Sequence, residues 1–244
     1  MLRRYLGVDL AWSARARSGV CALDGDGRLL DEDALDRDEL VAWLGRWRGG
    51  SSLVALDAPL LFGSAPVALR PVERALHRRY GGRHAGPFPG GALALAHRGR
   101  QRPPAEVLLD EVGPYSLDPF DFAAPHRAIE VFPAPAWIEL FNLPAAIRYK
   151  RGPKSARIAG LSRLWGYLDS LVARDPALQI GELDRVAERS NAARTLGDWK
   201  AVEDILDARL CAYLALLWDR TRDPAWVVTG TDGDWRAGYI VVPS

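Results

Sequence analysis

Lysine is nearly missing from this chain: Lys150, Lys154 and Lys200 are its only three, and almost every basic residue is arginine. The formal net charge is +1, which excludes a polybasic protein held to nucleic acid or membrane by bulk charge, so any affinity for phosphate must come from a local patch. Cysteine is equally scarce. Cys21 and Cys211 stand far apart in no Cys-x-x-Cys or Cys/His pattern, which excludes a disulfide framework and a zinc site and leaves two buried, reduced thiols as the expectation. Long apolar runs are missing too. The opening MLRRYLGVDLAW reaches Asp9 before any signal-type hydrophobic region develops, and LCAYLALLW is too short and too closely flanked by charge to span a bilayer. No membrane association and a cytoplasmic location are expected. There is no Walker-type loop, no internal repeat, and no triad or metal spacing among the four histidines.

What is present is a chain of 244 residues, 48% hydrophobic, enough for one α/β domain with a large core. Residues 4 to 11 read as a buried strand. Ser18 to Leu23 and Arg28 to Asp31 read as two more, joined by the turn Asp24-Gly25-Asp26-Gly27. Asp36 caps a helix with apolar positions Leu40, Val41, Leu44 and Trp47, Gly49-Gly50 ends it, and Ser51 to Leu56 follows as an apolar strand. Strand, helix, strand implies a parallel crossover, which makes the sheet mixed. Residues 62 to 126, rich in Gly and Pro with a short helical pattern at Pro71 to Tyr80, read as a long irregular insertion. Arg127 to Phe132 supplies a fifth strand, followed by a helix through Trp137, Ile138 and Phe141. Ile158 to Ala173 and Trp199 to Arg220 have helical apolar spacing. Trp226 to Thr229 and Tyr239 to Val242, around the turn Thr229-Gly230-Thr231-Asp232-Gly233, form a C-terminal hairpin.

Four stretches each carry an acid at a strand end or on a helix: GVDLAW, VALDAP, AIEVFP and EDILDARLCA. Asp9 follows Tyr5-Leu6-Gly7-Val8 in a central strand, where an ionised carboxylate needs a metal, a cation or hydrogen bonds. It either accepts N–H bonds from the Ala11-Trp12-Ser13 turn or serves as a ligand. Asp57, after Leu53-Val54-Ala55-Leu56, is either a cap for the next turn or a partner of Asp9; ligands in open α/β sheets gather at the carboxyl ends of strands. Glu130 alternates with Ile129 and Val131 and faces either solvent on an edge strand or the same site. Asp204 and Asp207, three apart, share a helix face that continues through the small residues Ala208 and Cys211, unless they are ordinary first-turn acids. Converging carboxylates repel one another, so the set makes chemical sense with divalent ions. Oxygen-only ligands favour Mg²⁺ or Mn²⁺, and two ions roughly 3.5–4 Å apart would suit in-line attack at phosphorus.

Basic and aromatic residues add substrate contacts to this picture. Arg70 to Arg102 holds eight arginines and three histidines against one acid, Glu73, with Arg74 and Arg78 one turn apart on the predicted helix. The segment reads either as a phosphate clamp or as a solvated insertion. Lys150 and Lys154, on the loop Tyr149-Lys150-Arg151-Gly152-Pro153-Lys154, would bind substrate phosphate, a carboxylate of the cluster, or water alone. Trp43, Trp47, Trp165 and Trp218 belong on apolar helix faces, leaving Trp12, beside Asp9, as the candidate substrate contact.

At these residues the sequence resembles the RNase H-like superfamily. EDILDARLCA is similar to the helix of RuvC-type resolvases in which two aspartates stand three apart. More closely, GVDLAW, ALDAPL, IEVFPAPAW, YKRGPK and DILDARLCAYLA together resemble the family called domain of unknown function 429, whose members are described as predicted nucleases of RNase H-like fold. The resemblance spans nearly the whole chain. It implies a single RNase H-like α/β domain over 1–244, with a mixed five-stranded sheet flanked by helices and an insertion at about 62–126. It also implies a Mg²⁺- or Mn²⁺-dependent nuclease working by a two-metal-ion mechanism on DNA or RNA. Asp9 would then bridge the ions, with Asp57, Glu130 and Asp207 completing the site and Asp204 supporting or replacing Asp207. The sequence departs from the related pattern at Val131-Phe132-Pro133, where a histidine usually follows the valine. Two rivals remain open: a nucleotide-binding phosphotransferase of the actin and sugar-kinase type, and a non-catalytic nucleic-acid-binding module.

Overall fold

The computed structural model describes residues 3–13, 16–63, 66–230 and 233–244. Its centre is a five-stranded mixed sheet, flanked by helices, with the order β3-β2-β1-β4-β5. These strands are β1 (Arg4–Asp9), β2 (Ser18–Leu23), β3 (Leu29–Leu35), β4 (Ser52–Leu56) and β5 (His126–Glu130). The expected α/β class and strand count hold. By its internal contacts the chain divides into two compact units, Met1–Ala55 with Ile147–Arg220 and Leu56–Ala146 with Thr221–Ser244.

In the first unit, β1, β2 and β3 form an antiparallel meander in which Asp9 pairs with Gly19 and Gly7 with Cys21. The β2–β3 turn forms because the Asp24 carboxylate accepts from the amides of Asp26 and Arg28, both at 2.9 Å, while Gly27 adopts φ +75°. Helix α1 (Arg37–Arg46) starts at a complete capping box: the Asp36 carboxylate accepts from Glu39 N and Glu39 answers to Asp36 N. Helices α6 (Lys154–Ser170) and α7 (Arg185–Ala192) precede the 26-residue α8 (Leu196–Thr221), which is buried from Val202 to Asp219. No helix among the described residues is long and apolar enough to cross a membrane.

Two glycines set how closely α8 lies on the meander. A Cβ built on Gly7 would stand 2.0 Å from the Ala208 carbonyl oxygen, and one on Gly19 would stand 1.9 Å from that of Asp204. Backbone therefore rests on backbone. Because Gly19 is the cross-strand partner of Asp9, this approach carries Asp204 to the end of β1. A buried network fixes the helix in rotation. Arg209 donates to Glu32 from Nε at 2.6 Å and from Nη2 at 2.5 Å, and Nη2 also bonds Asp184.

In the second unit, the segment expected to be an irregular insertion contains α2 (Pro71–Tyr80), α3 (Ala92–Ala96) and α4 (Pro104–Val112). Two of these start on proline, whose missing N–H costs nothing in the first turn. Helix α5 (Pro133–Phe141) follows β5, and Val131 N donates to Leu56 O at 3.0 Å. The short pair β6 (Val227–Val228) and β7 (Ile240–Val241) is antiparallel, as expected of the C-terminal hairpin. Thr231 and Asp232, in its turn, lie outside the described residues.

Replacing Gly7 by alanine is expected to destabilise the protein by about 1–3 kcal/mol, because the added methyl meets helix backbone that has no rotamer to yield. Gly45 in α1 has nothing within 4 Å of its Cβ position. Gly45→Ala is the control, expected to be neutral or stabilising by up to about 1 kcal/mol. Urea unfolding midpoints of the two variants and the wild type check both.

Candidate functional site

The first unit brings Asp9, Asp204 and Asp207 together. Asp9 is half-buried at the carboxyl end of the central strand, and Ala11 N in the turn that follows donates to Ser18 Oγ at 3.0 Å. The Asp9 and Asp204 carboxyl groups lie close enough to perturb each other. Two buried carboxyls this close ionise together only at a cost. Burial pushes the Asp204 carboxyl up to about 8, with the neighbouring Asp9 charge adding to the rise and Lys200 opposing it. Burial likewise raises Asp9, Lys150 and Lys200 pull it down, and Asp207 pushes it up.

Asp207, one helical step on, is fully buried and held in a fixed orientation. Tyr149 Oη donates to Oδ1 at 2.8 Å and to Oδ2 at 3.0 Å, and Lys150 Nζ reaches Oδ2 at 2.9 Å. Burial drives the Tyr149 hydroxyl well above its usual range, so it stays a donor. The Tyr149 segment can pack on α6 because Gly160 has no side chain; a Cβ there would meet Arg148 O at 2.6 Å. Lys200 Nζ bonds Asp204 and donates to Glu203 Oε1 at 2.9 Å, and Glu203 also pairs with Arg157 at 3.4 Å. The result is three acids, Glu203, Asp204 and Asp207, on one turn and a half of helix, faced by ammonium groups that are themselves about half exposed, 44% at Lys150 and 52% at Lys200.

Tyr149, Lys200, Glu203 and Arg157 are participants that the residue patterns alone did not single out. Lys200 was readable, since it stands three and four residues before Glu203 and Asp204 on one helix. Tyr149 and Arg157 carry no such signal, because their partners are 58 and 46 residues away. Among the other expected contacts, Lys154 Nζ is turned to Arg194 O at 2.8 Å, and Trp12 is half-buried just beyond β1.

Asp57 and Glu130 belong to the second unit. Asp57 follows β4 directly and is half-buried. Glu130 is neither solvent-facing nor open to a ligand: its oxygens accept from Arg70 Nη2 at 2.5 Å, Arg70 Nη1 at 2.8 Å and Leu60 N at 2.9 Å. Arg70 in turn donates through Nε to Glu73 at 2.8 Å and through Nη1 to Leu61 O at 2.7 Å, with Arg70, Glu73 and Glu130 all buried. Removing one partner of such a network strands a buried charge at a cost of about 3–5 kcal/mol. Arg74 and Arg78 are exposed on α2.

Among the described residues no group of three or more histidine, cysteine or acidic side chains forms a ready-made metal site. The donor chemistry of Asp9, Asp204 and Asp207 nevertheless suits a hard cation. All three offer only oxygen, and two crowd closely enough to retain a proton that a divalent ion would replace.

Residues 7–227 match the family model described as Protein of unknown function (DUF429), and the chain belongs to that family. Neither curated proteins nor solved structures gave a match.

The raised Asp204 carboxyl has a consequence for stability. Burial pushes it up to about 8 in the folded protein against 3.8 for the free side chain, so folding takes up a proton between those values. The stabilisation is complete below about pH 4 and is lost as pH rises towards about 8. In EDTA the urea midpoint is expected to fall over that range, and Asp204→Asn to flatten the fall; a midpoint that rises with pH in the wild type would contradict the raised carboxyl.

Proposed function

We propose that this protein is a magnesium- or manganese-dependent phosphodiesterase of RNase H-like fold that hydrolyses nucleic acid. The strand order β3-β2-β1-β4-β5, with an acid at the end of β1 and two on the last long helix, supports the fold assignment. The observation that carries the function is the close approach of α8 to the β1–β2 hairpin at Gly7 and Gly19, which sets Asp204 beside Asp9 at the end of β1, with Asp207 close enough to perturb Asp9. Carboxylates built into this proximity on a rigid strand and helix serve a cation better than they serve stability.

Asp9, Asp204 and Asp207 would hold the metal. Bound there, Mg²⁺ or Mn²⁺ would supply Lewis-acid activation of water and charge neutralisation at phosphate. Tyr149 keeps the Asp207 carboxylate in one orientation through two hydrogen bonds. Lys150 and Lys200 balance the acids and, being about half exposed, can turn their ammonium groups towards an anionic substrate. Glu130 acts elsewhere in this reading, as the buried counter-ion of Arg70 that ties down the chain at Leu60 and Leu61. The buried cysteines Cys21 and Cys211, neither in a disulfide, fit a reducing, cytoplasmic setting.

Incubation with labelled single-stranded, duplex, hybrid and branched nucleic acids in Mn²⁺ tests the proposal. Cleavage that is abolished by EDTA and reduced at least about 100-fold by Asp9→Asn is expected, since losing one ligand of a metal site costs chemistry directly. Equal cleavage by wild type and Asp9→Asn, or none by either, would overturn it.

A further inference from the structure

The eight arginines between Arg70 and Arg102 are not equivalent. Arg70 is consumed inside the protein, Arg79 and Arg83 pair with Glu139, and Arg102 pairs with Glu106 and Asp110. The segment's single acid, Glu73, is buried against Arg70. Arg74, His77 and Arg78 are exposed at positions i, i+3 and i+4, on one face of α2 with no acid of its own, and Arg74 Nη1 donates to Leu69 O at 2.7 Å.

Beside that face runs a rigid segment carrying an exposed aromatic ring. A Cβ on Gly86 would stand 2.5 Å from the His77 ring, and Gly90 N donates to the two Glu73 oxygens at 3.0 and 3.1 Å. Gly91 N and Leu93 N tie on to Ala68 and Val67, just ahead of the helix. These ties lay residues 86–91 along α2, and Phe88 falls midway between the His77 and Glu73 contacts. Its side chain is 66% exposed, and Pro87 and Pro89 restrict the backbone on either side. An exposed ring on a proline-stiffened segment that runs along the helix of Arg74 and Arg78 can serve as a stacking platform flanked by phosphate donors.

We propose that this face of the second unit binds single-stranded nucleic acid, Phe88 stacking on an unpaired base while Arg74 and Arg78 take phosphates of the same strand. The inference deepens the nuclease reading by naming its substrate class. A duplex hides its base faces, so a stacking site selects single strands. An anionic membrane would also attract arginine, but one ring and the half-exposed Leu93 offer little apolar area for insertion.

Fluorescence anisotropy in EDTA, with a labelled oligothymidylate and a blunt duplex of the same length, tests binding apart from cleavage. Tighter binding of the single strand is expected, weakened about tenfold or more by Phe88→Ala and kept by Phe88→Trp. Arg74→Gln and Arg78→Gln should each lower the slope of log K against log salt by about 0.7. Preference for the duplex, an unchanged affinity in Phe88→Ala, or binding to phosphatidylserine vesicles without binding to the oligonucleotide would overturn the proposal. Oligonucleotide binding that depends on Phe88, in a protein that cleaves nothing in Mn²⁺, would support this surface and sink the hydrolase reading alone.

Discussion

Direct contact between the backbone of α8 and the β1–β2 hairpin is the constraint on which the candidate site depends. Glycine at 7 and 19 removes the side chains that would hold a helix at its usual distance from a sheet, and the Ala208 and Asp204 carbonyls occupy the space. The acids of α8 consequently reach Asp9 without long side chains of their own. Aspartate, with a single methylene and few rotamers, is then held by the fold rather than by its own flexibility. The same closeness desolvates the carboxyls, which is why both Asp9 and Asp204 are raised and why lysine ammonium groups face them.

The protein buries charge in several places and satisfies it differently in each. Arg209 with Glu32 and Asp184, and Arg70 with Glu73 and Glu130, are arginine-centred networks in which one guanidinium faces two carboxylates. A planar fork of five donors suits that geometry, and it resists substitution because loss of one partner strands the others. The acids at the end of β1 are met instead by lysines with half-exposed side chains. Ammonium groups on flexible stems can be displaced at low cost, whereas Arg70 and Arg209 cannot leave. This contrast separates Glu130, held by a buried guanidinium, from Asp9, Asp204 and Asp207, which are faced by half-exposed lysines.

Much of the fold was legible in local patterns. The capping box at Asp36 and Glu39, the Asp24–Gly27 turn and the apolar spacing of α6 and α8 are encoded within a few residues of one another, so their elements appear where expected. Helices α3, α4 and α7 were not legible. One has only five residues, one begins at the Pro103-Pro104 pair that otherwise reads as a loop, and α7 buries only Val186 on its inner face. At the site, Asp9, Asp204 and Asp207 stood out because a charge at the end of an apolar strand or on a small-residue face needs a reason. The partnership of Glu130 could not be read, since Arg70 lies 60 residues away and the alternation that faces Glu130 away from Ile129 says nothing about what it meets there.

Anomalous diffraction from crystals soaked in Mn²⁺ addresses the metal assignment most directly. A peak bounded by the carboxylates of Asp9 and Asp204, lost in Asp9→Asn crystals of the same form, is the expected result. No peak there in the wild type, or one that survives the substitution, would contradict a metal centre at the end of β1.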